Sequence, residues 1–557
     1  MDLILVGLPG SGKSAVGRRL AGRHDATFID LDELIEGRVG KSVPAIFAEE
    51  GETGFRRHES EAILSLGPAD PDRELRRVVA TGGGAVIEPH NRWLLYRGRF
   101  PVWLDGSPEA LAGRLGRSAN VRPLLAGRDT VGTLRQLAED RRRFYAPALQ
   151  INGTANVEDI LRTLEGHLGD ASGPAVTVLR ADTVTGRVEI GCGIAATAVG
   201  SALTRAEARR AILLAEPRTW EVAGAGIAAA LAADDWDVET VILPRGENAK
   251  RMPVIERACR TLARLHVDRN ETLVAIGGGA LTDAAGFIAA TYLRGVTVVN
   301  VPTTLVGQID AALGGKTAVD IPEGKNLIGA FHQPAAVIAD VAFLTTLPAR
   351  LRRAALGEVV KMAVLGDDRL LELVEEEGEA FVQGDSGPLE SGALAEIVER
   401  CAWAKVELVT ADERDVGVRT ALNLGHTIGH GIEAAAGYRA ILHGEAVAYG
   451  LRGAFAIAVA MRLTKAGRAQ RVNRLLDRLE LGVEPPAVTR EAVLEHVATD
   501  KKHAGGRLSW VLPTESGVVV RSDVPPKAVE AGLAAALRVA PPGRRGDAAA
   551  GSARGRV

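Results

Sequence analysis

The chain has 557 residues, 46% hydrophobic and 25% charged, with a net charge of −3 and a pI near 6.5. That length exceeds one hydrophobic core and suggests roughly three or four domains or lobes, while the near-neutral balance argues against a nucleic-acid footprint. Three cysteines, Cys192, Cys259 and Cys401, form no CxxC pair, which argues against a disulfide framework or a cysteine zinc site and favours small buried side chains.

The opening MDLILVGLPGSGKS has no basic n-region, and its apolar run is too short for a signal peptide or membrane span, so a cytoplasmic protein is expected. Short apolar runs then alternate with helical patterns: LILVG, a helix from about Lys13, ATFIDLD, VVATGGG and FPVWLD. This rhythm predicts an α/β parallel sheet over residues 1–166. Residues 167–175 fall in a stretch rich in small and turn residues and are expected to be a linker. A second α/β lobe is expected over 176–344, with strands at AILLAE, VETVILP, TLVAIGGG and VTVVNVP. Ala/Leu/Glu/Arg-rich patterns predict an α-helical lobe over 345–538, and residues 539–557 lack hydrophobic periodicity and are expected to be a disordered tail.

Gly7-Leu8-Pro9-Gly10-Ser11-Gly12-Lys13-Ser14 is a complete Walker A loop between a strand pattern and a helix pattern. Gly10, Ser11 and Gly12 let backbone N–H groups close on phosphates, Lys13 reaches the β/γ-phosphates of ATP, and Ser14 offers a hydroxyl to Mg²⁺. Asp30 and Asp32 follow a strand, where one can organise metal-bound water and the other can take a proton from a substrate hydroxyl. Arg56, Arg57 and Arg141 are guanidiniums able to grip a carboxylate, and Thr81–Gly84 ends another strand. Singly, each of these also reads as a helix cap, a surface arginine or a tight turn.

Together with VRPLL (121–125) and DRRRFY (140–145), the motifs GLPGSGKS, DLD (30–32), FRRHE (55–59) and GGGA (82–85) make residues 1–165 resemble the shikimate kinases. The resemblance implies shikimate bound by Asp32, Arg56, Gly83 and Arg141, with Arg122 on a lid that closes over ATP. Relatives more often show Glu-Arg-x-Pro-Leu-Tyr where this chain has DRRRFY, so the three consecutive arginines leave Arg141 open by one position. Another small-molecule P-loop kinase is the alternative, for which activity on gluconate but not shikimate would speak.

In the second half, His426 and His430 stand i, i+4 on one helix face, and His443 follows closely before Gly444-Glu445. Histidines joined by an outside carboxylate would make an open Zn²⁺ site. HTIGH lacks the glutamate of HExxH, which removes the general base of a metalloprotease. Of the 67 basic side chains only 11 are lysine, leaving 56 arginine. Apart from Lys465 and Lys527, the lysines of this half, Lys250, Lys316, Lys325, Lys361, Lys405, Lys501 and Lys502, therefore suggest a multiply anionic substrate or a phosphate. Lys316 and Lys325 stand in segments read as Gly-rich loops.

RGENAK (245–250), GGGALTD (277–283), YLRG (292–295), PTTL (302–305), GGKTAVD (314–320), GKNLIGAF (324–331), GEVVK (357–361), RTALNLGHTIGH (419–430), HGEAVAYG (443–450) and DKK (500–502) make residues 176–535 similar to the 3-dehydroquinate synthases. The resemblance implies Zn²⁺ or Co²⁺ held by Glu358, His426 and His443, with His430 in the catalytic pocket. It implies NAD⁺ against Arg245, Gly246, Glu247, Asn248, Ala249 and Lys250, a turn of Gly279, Ala280, Leu281, Thr282 and Asp283, Thr303 and Thr304, Lys316 and Lys325, and Phe343, Leu344, Thr345 and Thr346. Arg294, Asp310, Lys316, Lys325, Asn326, Lys361, Lys405, Arg419, Asn423 and one or both of Lys501 and Lys502 would surround the substrate. GGGALTD is not GxGxxG, and relatives often have Asn at Asp320 and Gly at Thr282. The implied reaction borrows hydride onto NAD⁺, eliminates phosphate, returns the hydride and closes a carbocycle. A cyclase with another product, or an alcohol dehydrogenase relative with net NAD(H) turnover, is the alternative, and either half could also be an inactive binding module. Small-molecule substrates, with no nucleic acid or membrane, and a second copy met through the C-terminal enzyme are the expected partners. The two enzymes, catalysing non-consecutive steps, are expected to be independent modules.

Overall fold

The computed structural model describes residues 1–70, 74–116, 129–168, 175–415, 417–438, 440–503 and 508–538, with backbone alone at 499–503. Arg122, the tail 539–557 and most of the expected linker lie outside the described residues, as do the side chains of Lys501 and Lys502. The chain divides into two compact units. The first comprises Met1–Thr303, Gly315–Phe343 and Leu394–Glu399; the second comprises Thr304–Gly314, Leu344–Ala393 and the described residues from Arg400 onward.

Among its described residues the first unit contains two large sheets and one two-stranded ribbon. Strands β1 (Asp2–Val6), β2 (Thr27–Asp30), β3 (Arg77–Ala80), β4 (Phe100–Asp105) and β5 (Leu149–Asn152) are all parallel, in the order β2-β3-β1-β4-β5. DLILV is buried at every position, as expected of a central parallel strand covered on both faces. β1 lies between β3 and β4, with β2 and β3 on one side of it and β4 and β5 on the other, so the strand order reverses there and the C-terminal ends of these strands frame the crevice where ligands bind in such sheets. The short β5 escaped the sequence reading because LQIN, with two exposed polar residues at an edge, carries little apolar signal.

The second sheet is built from β6 (Val176–Thr183), β7 (Gly186–Cys192), β8 (Ala211–Ala215), β9 (Val238–Ile242), β10 (Thr272–Gly277), β11 (Thr297–Pro302) and, after the hairpin of β12 (Lys316–Ile321) and β13 (Gly324–Phe331), β14 (Ala336–Asp340). Its order is β6-β7-β14-β11-β10-β8-β9, parallel except for the antiparallel β6–β7 pair. Edge strand β6 packs against the helices Pro89–Tyr96 and Thr130–Tyr145, which belong to the first sheet's domain.

Two readings need correction here. Gly279–Asp283 is not a turn but the start of the helix Gly279–Thr291, with Gly278 as its N-cap. Lys316 and Lys325 lie not in loops but on the hairpin β12–β13, in register Lys316↔Phe331. β12 buries only Thr317 and Val319 and most of β13 is exposed, so the ribbon carries little of the alternating apolar pattern that marks a strand. Cys401 is buried as expected, whereas Cys192 and Cys259 are half-buried; burial pushes all three thiols up, away from reactive thiolate.

The second unit is helical apart from the antiparallel pair β15 (Trp510–Pro513) and β16 (Val518–Arg521). Helices Ala349–Val364 and His443–Ala460 cross with their backbones in contact: a Cβ at Gly444 would stand 1.9 Å from the Ala354 carbonyl oxygen, and one at Gly357 would stand 2.2 Å from that of Gly444. Only glycine permits that approach, and it brings residue 358 beside residue 443. Among the described residues no helix is long and apolar enough to cross a membrane.

Candidate active sites

At the end of β1 the Lys13 ammonium donates to the carbonyls of Gly7 at 2.7 Å and Leu8 at 3.0 Å, inside the loop that carries Gly10, Ser11 and Gly12. Ser14 begins the second residue of the helix Lys13–Arg23, and its hydroxyl donates to Asp30 Oδ2 at 2.6 Å. The other Asp30 oxygen caps the next helix through the Asp32 N–H at 3.1 Å. The cap reading and the metal-organising reading of Asp30 are thus both compatible with one carboxylate.

The second carboxylate, Asp32, lies at the opposite wall. A Cβ at Gly82 would come 2.9 Å from Glu59 Oε1 and 3.4 Å from Asp32 Oδ1, so both acids face that glycine. Arg56 is held by Glu59 at 2.6 Å and by Glu52 at 3.0 Å, and a Cβ at Gly84 would meet its guanidinium at 2.3 Å. Arg141 is buried and donates to the Gly83 carbonyl at 2.9 Å, joined there by the Tyr145 hydroxyl. Of the three consecutive arginines, Arg141 therefore faces the crevice, while Arg142 lies over Trp103 and Arg143 over Phe144. Glu59 and Tyr145 were missed as site residues, although Glu59 stands i+3 from Arg56 and Tyr145 i+4 from Arg141 on shared helix faces. Burial pushes the Glu59 carboxyl up, against the pull of Arg56, and its Oε1 accepts no hydrogen bond.

In the first unit's other half, Lys250 brings together Asp283, expected at the nucleotide, and Asn326, expected at the substrate. Its buried ammonium bonds Asp283 at 2.8 Å and Asn326, with Asp320 at 3.9 Å. Lys325 lies 3.7 Å from Glu247, which ties the hairpin to the 3₁₀ turn Gly246–Lys250. Ala249 is buried in this turn, whereas Arg245 and Asn248 are exposed. Burial raises Asp283 to about 6 although Lys250 pulls it down. Gly279, Ala280, Leu281 and Thr282 form the first turn of the helix bearing Asp283, Thr303 follows β11, and Phe343 lies in the 3₁₀ segment Val341–Thr346. Lys316 and Arg294 are exposed, Arg294 with a left-handed φ of 67°. Glu216 was missed: it ends β8, and its carboxylate accepts the Gly246 N–H at 2.7 Å. An acid just past a parallel strand is the signal that could have found it.

The second unit holds the metal candidates. His426, His430 and His443 bring ligand atoms within 4.8 Å of one another. Glu358 Oε1 lies 3.2 Å from His443 Nε2 and 3.8 Å from His426 Nε2, and Glu358 Oε2 lies 2.6 Å from Lys361. Despite these approaches neither Glu358 oxygen accepts a well-directed hydrogen bond, and the side chain is 1% exposed. His426 Nδ1 donates to the Leu424 carbonyl at 3.0 Å, since a carbonyl can only accept, and this turns its Nε2 lone pair into the cluster. His443 is oriented in the same sense by Glu433, 2.9 Å from its Nδ1. Glu433 was also missed, although it falls at i+7 from His426 on the same helix.

Burial pushes the His426 imidazole down to about 3. Burial also opposes charge on His443, but Glu358 and Glu433 outweigh it and raise the group to about 10. Glu358 is held well below the usual carboxylate range: its burial is overcome by Lys361 and the two imidazoles. Lys405 pairs with Asp310, whose burial is overcome by Lys405 and Lys361 so that it falls to about 2. Buried Arg419 donates to the carbonyls of Glu413 at 2.7 Å and Gly314 at 3.4 Å. Asn423 is exposed at the end of the 3₁₀ turn Val418–Asn423. Thr304, Leu344, Thr345 and Thr346 belong to this unit, and the backbone of Lys501 and Lys502 lies in the helix Arg490–His503.

A family model for shikimate kinase matches residues 9–162, and models for the 3-dehydroquinate synthase N-terminal and C-terminal parts match 240–354 and 355–503. The 3-dehydroquinate synthase of Symbiobacterium thermophilum is 41% identical over 356 residues, which cover 63% of this chain and 98% of that protein. The solved 2-epi-5-epi-valiolone synthase of Streptomyces hygroscopicus, with NAD⁺ and Zn²⁺ bound, is 30% identical over 64% of this chain and 98% of its own, with a TM-score of 0.59. The shikimate kinase of Acinetobacter baumannii, solved with shikimate, is 34% identical over 29% of this chain and 90% of its own, with a TM-score of 0.27. The chain therefore belongs to the 3-dehydroquinate synthase family and carries a shikimate kinase domain ahead of it, which makes it a bifunctional enzyme of the shikimate pathway.

Proposed function

We propose that the two activities divide among the residues as follows. Domain limits of 1–166, 176–344 and 345–538 fit this division. In the kinase, Lys13 steadies the β/γ-phosphates of ATP, and Ser14 with Asp30 provides oxygens for Mg²⁺. Arg56 and Arg141 clamp the shikimate carboxylate, Gly83 lets the ring lie against backbone, and Asp32 takes the hydroxyl proton. Glu59 keeps Arg56 aimed, since their 2.6 Å pair fixes the guanidinium beside Gly84. Arg122 belongs to the closing lid by resemblance alone.

In the synthase, Glu358, His426 and His443 hold the divalent cation. The observation that carries this reading is Glu358, a buried carboxylate with no directed hydrogen bond, facing imidazole nitrogens at 3.2 and 3.8 Å. A dication would join Lys361 in balancing that charge and accept both lone pairs. His430 in the same cluster is left to move a proton. When bound, Zn²⁺ or Co²⁺ supplies Lewis-acid polarisation, and NAD⁺ supplies a hydride acceptor that returns what it takes. The residues around Lys250, including Glu247, Asp283 and Lys325, orient the nucleotide, and Lys361, Lys405 and Arg419 neutralise the substrate's carboxylate and phosphate. The cytoplasm, which supplies ATP and NAD⁺, is the proposed compartment, and a homodimer through the synthase is supported by resemblance alone.

Assays of the purified chain test this. Shikimate with MgATP yields ADP and shikimate 3-phosphate, whereas 3-deoxy-D-arabino-heptulosonate 7-phosphate with NAD⁺ and zinc releases phosphate without net NADH. Phosphorylation of gluconate instead of shikimate, or net NADH from a polyol, would overturn the respective reading.

A further inference from the structure

The first unit contains a buried ion pair that joins residues 307 positions apart. Arg92, on the helix Pro89–Tyr96, is fully buried and donates to Glu399, whose side chain is 8% exposed on the helix Ala393–Ala411. Arg92 belongs to the kinase and Glu399 to the synthase. A buried guanidinium is costly to leave without a counter-charge, and the cost of breaking such a pair falls on whatever the orphaned partner holds in place.

What Arg92 holds is the shikimate wall. Its other terminal nitrogen donates to the carbonyl of Val86 and, at 3.1 Å, to that of Ile87, immediately after the Gly82–Gly84 segment. Its guanidinium carbon lies 4.3 Å from the centre of the Phe144 ring. Phe144 sits on the helix Thr130–Tyr145 that carries Arg141 and Tyr145, both bonded to Gly83, and the Tyr96 hydroxyl fixes the Phe144 carbonyl at 2.9 Å. The synthase grips this helix a second time: Arg180 of β6, itself paired with Glu189 at 3.0 Å, donates to the carbonyl of the C-cap residue Ala146 at 3.0 Å.

We infer that Glu399 of the synthase is a positioning residue for the kinase: through Arg92 it sets the Gly83–Arg141 wall on which shikimate rests. The inference depends on that wall being the shikimate clamp, which the wild-type kinase assay tests separately. It limits the expected independence of the two modules, because a residue outside the kinase domain would then tune kinase substrate affinity.

The experiment uses the full chain with Glu399→Ala and Glu399→Gln. Glu399→Ala raises the KM for shikimate about 10-fold, the scale of one charge-assisted hydrogen bond, with the KM for ATP and the synthase turnover within about two-fold of wild type. Glu399→Gln keeps an acceptor for Arg92 without the charge and gives an intermediate shikimate KM, about three-fold above wild type. Unchanged shikimate KM in folded Glu399→Ala would overturn the inference. So would a parallel loss of both activities tracking the folded fraction, which marks a merely structural role. If the alanine variant does not fold, a graded KM in Glu399→Gln still supports the inference, and an unchanged one overturns it.

Discussion

The two active sites use glycine for opposite purposes. In the kinase, Gly82, Gly83 and Gly84 end a strand and leave space that charged side chains and a ligand share, so Arg56 comes to where a Cβ of Gly84 would be. In the helical lobe, Gly357 and Gly444 leave space for another backbone, and the closeness of that helix crossing sets Glu358 beside His443. The first design keeps the site open at the ends of parallel strands, where loops can close over substrate. The second buries a carboxylate, a lysine and His426 where three helices meet, and low polarity there magnifies every charge.

That contrast predicts unequal responses to mutation. The largest is expected at the buried site: Glu358→Gln should strip the metal, measured by elemental analysis of the purified protein. Synthase turnover should fall by more than the roughly 10–100-fold that outer-shell partners are worth. His430→Ala should retain the metal while losing turnover; loss of metal there would move His430 into the ligand set. In the open kinase site, Gly84→Ala should displace Arg56 and raise the KM for shikimate about 10-fold while sparing the KM for ATP. An unchanged shikimate KM would show that Arg56 is not part of the clamp.

The smallest effect is a pH slope. Burial raises the folded-state pKa of Asp283 to about 6, above its value of about 4 in an unfolded chain. The folded state therefore holds that proton more tightly, and the contribution, full below about pH 4, is lost as pH rises through about 6. Asp283→Asn should remove this slope from the urea midpoint measured across that window. A slope that survives in the variant would assign it to another group.

The same contrast explains what was legible in the sequence. The P-loop and the chemistry-bearing motifs could be read because loop chemistry is local: Lys13 and Ser14 stand in one run, and His426 and His430 share one helix turn. Strands β8, β10 and β11 were legible from their apolar runs, but the β12–β13 ribbon was not, because only Thr317 and Val319 of it are buried and β13 is mostly exposed. Glu433 and Glu59 were passed over although their spacing put them on the right faces; what marks them is burial against His443 and Arg56, which spacing alone does not report. The contact of Arg92 with Glu399 lay furthest out of reach, since nothing local in either helix points to a partner 307 residues away.

The central claim is that one chain holds two chemically separate active sites. The most direct measurement assays both reactions on folded Lys13→Ala and His443→Ala proteins. Lys13→Ala should lower shikimate phosphorylation by about 100-fold or more, on the scale of removing one transition-state donor, and leave phosphate release from the heptulosonate phosphate unchanged. His443→Ala should do the reverse and lower metal content. Loss of both activities in either folded variant would contradict the account.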